Sequence, residues 1–117
     1  MPLEVASNIL LESEILANFR RFQIDESTTY LYAALIDFCE EAYHGCEETM
    51  LLEVAKHFEA GMKKYGQDNW RGIPAWSFID SATRHYLKWR RGDKDEAHDK
   101  SFVWNVMCCI WEVDYHE

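Results

Sequence analysis

The sequence predicts an all-α fold, a compact bundle of four to five helices, on three observations. Apolar residues recur at three- and four-residue spacing, as on one face of a helix. Only two prolines and five glycines interrupt the chain, and no segment shows the apolar–polar alternation of a strand. Because 117 residues with 48% hydrophobic content suit one domain with a core, we assign residues 1–117 to a single domain. It comprises an N-terminal helix in residues 1–25 and a helical core in residues 27–115.

The first two helices are predicted from apolar spacing and a capping residue. The first runs from Leu3 to Phe22. The second runs from about Ser27 to Tyr43, with Ser27 or its neighbour Thr28 as the N-cap, because a hydroxyl there accepts a hydrogen bond from a free backbone N–H.

Three further helices follow in the second half of the chain, and residues 65–74 are predicted to form a loop. The third helix spans about residues 47–64 and is expected to bury Leu51 and Val54. The fourth begins near Ala75 and stops at Gly92, since glycine commonly follows the last residue of a helix. The fifth spans about residues 98–113 and follows a short acidic segment.

The charge pattern separates the classes of partner. A net charge of −9 argues against a long nucleic acid, because such binding depends on neutralising many phosphates. Between Lys56 and Lys94, however, nine residues are basic and four are acidic, which gives this segment a net charge of +5. Two interpretations are open: a site for a small anion, or a solvated helical face.

Other features point to a cytoplasmic protein that does not enter membranes. No apolar stretch approaches the length of a membrane span, and Met1-Pro2-Leu3-Glu4 lacks the features of a secretory signal. The four cysteines contain no C-x-x-C pair, so we expect reduced thiols rather than a disulfide framework. A small aromatic-rich bundle exposes much of its apolar surface unless it pairs, which favours a homo-oligomer.

Polar residues with helical spacing are the candidates for a functional site. Asp80, Arg84 and Lys88 share one helix face, and they form either an exposed ladder of ion pairs or a fork that binds phosphate through Arg84. Asp93, Asp95 and His98 form a D-x-D-x-x-H cluster at a helix start. These carboxylates either cap the helix or bind Mg²⁺ or Mn²⁺, with His98 favouring Mn²⁺.

Two further histidines and one tryptophan carry open alternatives. His57 and His85 are either hydrogen-bonded helix residues or metal ligands, and Glu53 shares the face of His57. Trp70, beside Asn69 in the predicted loop, belongs either to the core or an interface, or to a surface on which a nucleobase stacks.

Several ordered motifs resemble one known family. Residues 58–72 read F-E-A-G-M-K-K-Y-G-Q-D-N-W-R-G, and they are followed by D-S-A-T-R-H at 80–85, R-G-D-K-D-E-A-H at 91–98 and V-W-N at 103–105. This succession, over roughly residues 30–112, is similar to the phage and prophage proteins of the dATP/dGTP diphosphohydrolase N-terminal domain family. Many relatives have a second histidine at the position of Ser101.

The resemblance implies metal-dependent cleavage of a purine deoxynucleoside triphosphate, dATP or dGTP, to a monophosphate and pyrophosphate. Such a reaction requires a metal ion, cations on the phosphates and an attacking water. The implied catalytic residues are Asp95, His98 and His85, and the implied substrate-binding residues are Lys64, Asn69, Trp70, Arg84 and Asn105. The expected ligands of Mg²⁺ or Mn²⁺ are Asp95 and His98, with Glu53 added on helical spacing alone. Two alternatives stay open: a phage protein that binds a nucleotide without cutting it, and a structural oligomer.

Overall fold

The computed structural model describes residues 13–65 and 72–115, with side chains for all of these except residues 58 and 60–65. Five helices lie in these ranges, and the described residues contain no strand, so the predicted all-α class is confirmed. Their bounds are α1, Glu14–Asp25; α2, Thr29–Tyr43; α3, Glu47–Tyr65; α4, Ala75–Arg91; and α5, His98–Asp114. The contacts group them into two compact units, residues 1–45 and residues 46–117. Assignment of the whole chain to one domain stays a prediction.

The first unit contains α1 and α2, which pack against each other. The N-cap of α1 is Ser13, whose extended backbone precedes the helix and whose hydroxyl accepts a hydrogen bond from the Leu16 N–H at 3.3 Å. The sequence predicts a helix from Leu3 to Phe22, whereas the described helix begins at Glu14. Residues 1–12 lie outside the described residues. Fully buried apolar side chains from both helices form the core of this unit: Ile15, Leu16, Phe19, Leu31, Ala34 and Phe38.

The second unit contains α3, α4 and α5, with α5 packed against both other helices. Tyr86 of α4 and Phe102 of α5 have no exposed surface, and their ring centroids lie 5.7 Å apart. The remaining buried residues of α4 and α5 include Phe78, Ile79, Ala82, Val103, Val106 and Cys109. The helices α4 and α5 thus form a helical hairpin with a shared apolar core, and residues 92–97 join them.

The apolar face of α3 differs from the predicted one. Leu51 was expected in the core, yet half of its surface is exposed, and the neighbouring Leu52 is exposed as well. Val54 is buried as predicted, and Met50, four residues earlier, is buried with it. Since residues i and i+4 share a helix face, α3 buries the face of Met50 and Val54 and leaves Leu51 at its margin.

None of the five described helices combines the length and the apolar character that a membrane crossing requires.

Candidate functional site

The end of α4 and the start of α5 place the candidate site. Gly92, with φ of 92°, follows α4 in the left-handed region, where a residue with a Cβ is strained. Its N–H donates to the Trp89 carbonyl at 3.0 Å, and the Asp93 N–H donates to the Lys88 carbonyl at 3.0 Å. These two bonds are those of a Schellman motif, which ends the helix and turns the chain. Residues 93–97 then return the chain to His98, the first residue of α5.

Two histidines and one aspartate form a continuous hydrogen-bonded chain at this turn. Nδ1 of His85 lies 2.8 Å from Nδ1 of His98, and the ring centroids are 5.1 Å apart. Nε2 of His98 lies 2.7 Å from Oδ1 of Asp95. His98 is 1% exposed, whereas the Asp95 side chain is 63% exposed. Both ring nitrogens of the buried His98 therefore have a hydrogen-bond partner, Nδ1 in His85 and Nε2 in Asp95.

The chemistry of these groups determines which atom donates each hydrogen bond. An ionised carboxylate only accepts hydrogen bonds, so Nε2–H of His98 donates to Asp95. Nδ1 of neutral His98 then accepts from Nδ1–H of His85. In this arrangement Nε2 of His85 carries a lone pair and no proton.

The pKa directions agree with that assignment. The hydrogen bond from His98 lowers the pKa of Asp95, which favours the carboxylate. Burial lowers the pKa of His85, the proximity of the second imidazole, His98, lowers it further, and the charges of Lys88 and Arg84 act in the same direction while Glu96 opposes them. His85 is thus favoured as a neutral imidazole.

Asp93 lies beside this chain and pairs with the last residue of α4. Nε of Arg91 donates to Oδ1 of Asp93 at 2.8 Å, and Nη2 of Arg91 donates to Oδ2. This two-point contact lowers the pKa of Asp93. The Arg91 side chain is 70% exposed and that of Asp93 only 25%, so the guanidinium is the accessible partner of the pair. The N-cap of α5 is Ala97, so neither Asp93 nor Asp95 is the cap residue that the sequence left open.

The described side chains bring two groups of metal-ligating atoms close enough to share an ion. One group is His85, Glu96 and His98; the other is Asp93, Asp95 and His98; in each, the atoms lie within 4.8 Å of one another. His98 belongs to both groups, with Nδ1 towards His85 and Nε2 towards Asp95. Carboxylate oxygens suit Mg²⁺ and Mn²⁺, and imidazole nitrogen favours Mn²⁺ of the two. The donor set therefore fits the predicted ion.

Two predicted site residues lie on the same two helices as this cluster without joining either group. Arg84 is exposed, immediately precedes His85 on α4, and its charge acts on the pKa of His85. Asn105 is 6% exposed on α5, and its Nδ2 donates to the Ser101 carbonyl at 2.7 Å. The structure thus places Arg84 as an accessible cation and Asn105 in a buried position on α5.

Of the other predicted residues, only Glu53 has a described side chain. Among the described side chains, Glu53 joins neither metal-ligating group; its Oε2 lies 3.8 Å from Nζ of Lys100. Lys64 belongs to α3, but its side chain lies outside the described ones, as do residues Asn69 and Trp70 altogether. Their assignment to the substrate stays a prediction.

Two residues of the site have no assigned role in the sequence prediction. Arg91 and Glu96 both stand in the R-G-D-K-D-E-A-H motif, which was the available signal for them. His57 lies with Nε2 3.4 Å from Oγ of Ser101, so it adopts the hydrogen-bonded alternative and connects α3 with α5. The sequence signal at Ser101 is the histidine that many relatives have at this position.

Comparison with known protein families identifies the family of this chain. The family model described as dATP/dGTP diphosphohydrolase, N-terminal, matches residues 40–116. The chain belongs to this family. The matched segment contains all of α3, α4 and α5, and therefore every residue of the two metal-ligating groups. Comparisons with curated proteins and with solved structures give no significant match.

Proposed function

We propose that this member of the dATP/dGTP diphosphohydrolase N-terminal family hydrolyses purine deoxynucleoside triphosphates with Mg²⁺ or Mn²⁺. The observation that supports the proposal is the meeting of His85, Asp95 and His98, with Asp93 and Glu96, at the turn between α4 and α5. A mixed set of carboxylates and imidazoles in a basic part of the chain is suited to a cation and a polyphosphate together.

The reaction proposed is water addition at the α-phosphorus of the nucleotide. The bond from that phosphorus to the oxygen shared with the β-phosphate breaks, pyrophosphate leaves, and the water oxygen stays in the monophosphate. The protons of the water pass to product oxygens and solvent. Asp93, Asp95 and His98 would hold the divalent ion, which when bound supplies positive charge against the phosphates and acidifies a water molecule.

The cationic side of α4 supplies the contacts to the triphosphate. Arg84 is exposed, and Lys88 lies one helical turn further along the same face. Their charges both act on the pKa of His85, so both lie near the cluster. A guanidinium presents paired donors to phosphate oxygens, and an ammonium supplies a compact charge.

The experiment measures both products from dATP and dGTP. Purified full-length chain is incubated with each nucleotide and Mg²⁺ or Mn²⁺, and pyrophosphate and monophosphate are quantified by a coupled assay and chromatography. We expect equal amounts of the two products, strong loss in His98→Asn, and weakened substrate affinity in Arg84→Gln. Arg20→Gln, an exposed arginine of α1 outside the family match, is the matched control.

Some results would contradict the proposal. Absence of pyrophosphate with both nucleotides and both ions would exclude this reaction. Release of tripolyphosphate and a nucleoside would place the cleavage at a different bond.

A nucleotide binder without catalysis is the second candidate, and one observation favours it. The ligating atoms already satisfy one another: His85 pairs with His98, His98 with Asp95, and Arg91 with Asp93. A binder predicts thermal stabilisation by dATP or dGTP that persists in EDTA, whereas the hydrolase predicts stabilisation that depends on the divalent ion.

A further inference from the structure

The connection between His85 and His98 has a consequence for the proposed metal site. His85 is joined to Asp95 only through the imidazole of His98, which is 1% exposed. A neutral imidazole carries one proton on two nitrogens, so the state of one nitrogen fixes the state of the other. Any change at Nε2 of His98 is therefore transmitted to His85.

In the metal-free arrangement, each ring carries its proton on the nitrogen that donates to the next group in the series from His85 through His98 to Asp95. His98 has its proton on Nε2, donated to Asp95, and His85 has its proton on Nδ1, donated to His98. Nε2 of His85 is consequently a hydrogen-bond acceptor. A phosphate oxygen is also an acceptor, so this form of His85 offers the triphosphate no hydrogen bond.

Coordination on the Asp95 side reverses this order. With Asp93 and Asp95 as co-ligands, His98 uses the lone pair of Nε2, and its proton must lie on Nδ1. Nδ1–H of His98 then donates to Nδ1 of His85, and the proton of His85 lies on Nε2. The two rings hold two protons before and after, so the exchange needs no net proton uptake or release by the rings.

Coordination on the other side of His98 leads to the same state of His85 when the ion uses the facing Nδ1 atoms. His85, Glu96 and His98 form the second group of ligating residues, and the two Nδ1 atoms lie 2.8 Å apart. Neutral His85 with Nδ1 as a ligand carries its proton on Nε2. Coordination through these atoms thus gives the same result as coordination beside Asp95.

We propose that His85 is a phosphate-binding residue switched by the cation, with Nε2 an acceptor in the metal-free protein and a donor in the metal-bound protein. The inference rests on the proposed function for the nature of the ligand. Arg84 and Lys88 lie near His85, so a donating Nε2–H would act beside two cations on an anionic group. His85 therefore becomes suited to phosphate when the cation has bound.

The experiment follows ring protonation directly by NMR. The full chain is labelled with ¹⁵N-histidine, and long-range ¹H–¹⁵N correlations identify the protonated nitrogen of each ring without and with Mg²⁺. Zn²⁺, a diamagnetic ion with higher affinity for imidazole, is the second probe. Calorimetry establishes saturation, and exposed His44 is the internal reference.

We expect His85 to change from an Nδ1–H ring to an Nε2–H ring on saturation, while His44 keeps its exchange-averaged pattern. Two variants identify the side on which the ion lies. Asp93→Asn should raise the cation concentration needed for the exchange if the ion lies beside Asp95, and Glu96→Gln should do so if it lies beside His85. If the ion lies beside Asp95, His98→Gln, which interrupts the connection, should leave the pattern of His85 insensitive to Mg²⁺.

Three outcomes would overturn the inference: no cation binding, a His85 pattern unchanged at saturation, or an exchange unaffected by both carboxylate variants. The pyrophosphate assay is independent of these outcomes. Exchange without pyrophosphate release would retain this inference and remove the proposed function. Pyrophosphate release with an unchanged His85 would do the opposite.

Discussion

Nδ1 of His85 lies 2.8 Å from Nδ1 of His98, so a ring on α4 is tied to the first residue of α5. Nε2 of His98 is in turn held by Asp95, in the segment that joins the two helices. The same contacts that position the candidate ligands also contribute to the stability of the helical hairpin. Stability measurements can therefore test the geometry without any assumption about catalysis.

Replacement of His98 with alanine should destabilise the protein. The change removes a buried side chain and leaves Nδ1–H of His85 without its acceptor. An unsatisfied polar group costs about 1–3 kcal/mol. Urea denaturation without divalent ions measures this effect. Asp95→Asn, at a side chain that is mostly exposed, should be much milder; equal losses in the two variants would contradict the described network.

Stability should fall when the pH is lowered through the range in which histidine titrates. Burial lowers the folded-state pKa of His85 below its ordinary value of 6.5. The unfolded chain then binds the proton more readily, so this contribution is present above 6.5 and is lost as the pH falls through the folded-state pKa. The pKa values of Asp93 and Asp95 are lowered from 3.8, so their contributions to stability are lost separately, as the pH falls below 3.8.

Urea midpoints at about pH 7.5 and about pH 5.5 measure the histidine contribution. The wild-type midpoint should decrease between them, and the decrease should be smaller in His85→Gln. An undiminished pH dependence in the variant would assign the effect to other histidines.

The packing of α4 on α5 should depend strongly on Phe102. This ring has no exposed surface and lies against Tyr86, so Phe102→Ala should cost about 3–5 kcal/mol. Met107, on the same helix, is 41% exposed, and Met107→Ala is the matched control with a much smaller expected effect. Comparable losses in chemical denaturation would contradict the described orientation of α5.

Only one thiol should react rapidly in the folded protein. Cys46 is exposed, whereas Cys39, Cys108 and Cys109 are buried. Burial raises the pKa of both Cys108 and Cys109 to about 12, which leaves little reactive thiolate at neutral pH. A thiol reagent should modify one cysteine quickly in wild type and none in Cys46→Ser. A fast phase that persists in this variant would contradict the described burial.

Arg91 should compete with a cation for Asp93. Because the guanidinium contacts both carboxylate oxygens, Arg91→Gln should increase the affinity for Mn²⁺ by a few-fold, as for loss of an exposed ion pair. Titration calorimetry measures the affinity, and Arg20→Gln is the control at a distant exposed arginine. An unchanged affinity would indicate that the ion does not use Asp93.

Helix positions were predictable where local sequence decides them. The predicted start and end of α4 match the structure, because Pro74 precedes the helix and Gly92 takes the left-handed conformation after it. The predicted continuity of the first helix through Ser13 is wrong, because Ser13 has an extended backbone and its hydroxyl caps a helix that begins at Glu14. On α3, Val54 is buried as predicted, but the adjacent Leu51 and Leu52 made the phase of the helix ambiguous, and packing buries Met50 rather than Leu51.

The residues of the cluster were predictable one by one, but their hydrogen-bonded network was not. Asp95, His98 and His85 were all identified, and they do meet. The direct contact between the two rings depends on how α4 and α5 cross, which helical spacing does not determine. For the same reason Glu53 was placed with the metal ligands, although the structure pairs it with Lys100.

The turn at Gly92 brings together side chains that are also near one another along the chain. Short loops close quickly, and local contacts form early in folding. The two metal-ligating groups should accordingly assemble as soon as α4 and α5 dock, before any contact of longer sequence separation is required. An ion bound as proposed would then favour closure of the nascent hairpin during synthesis.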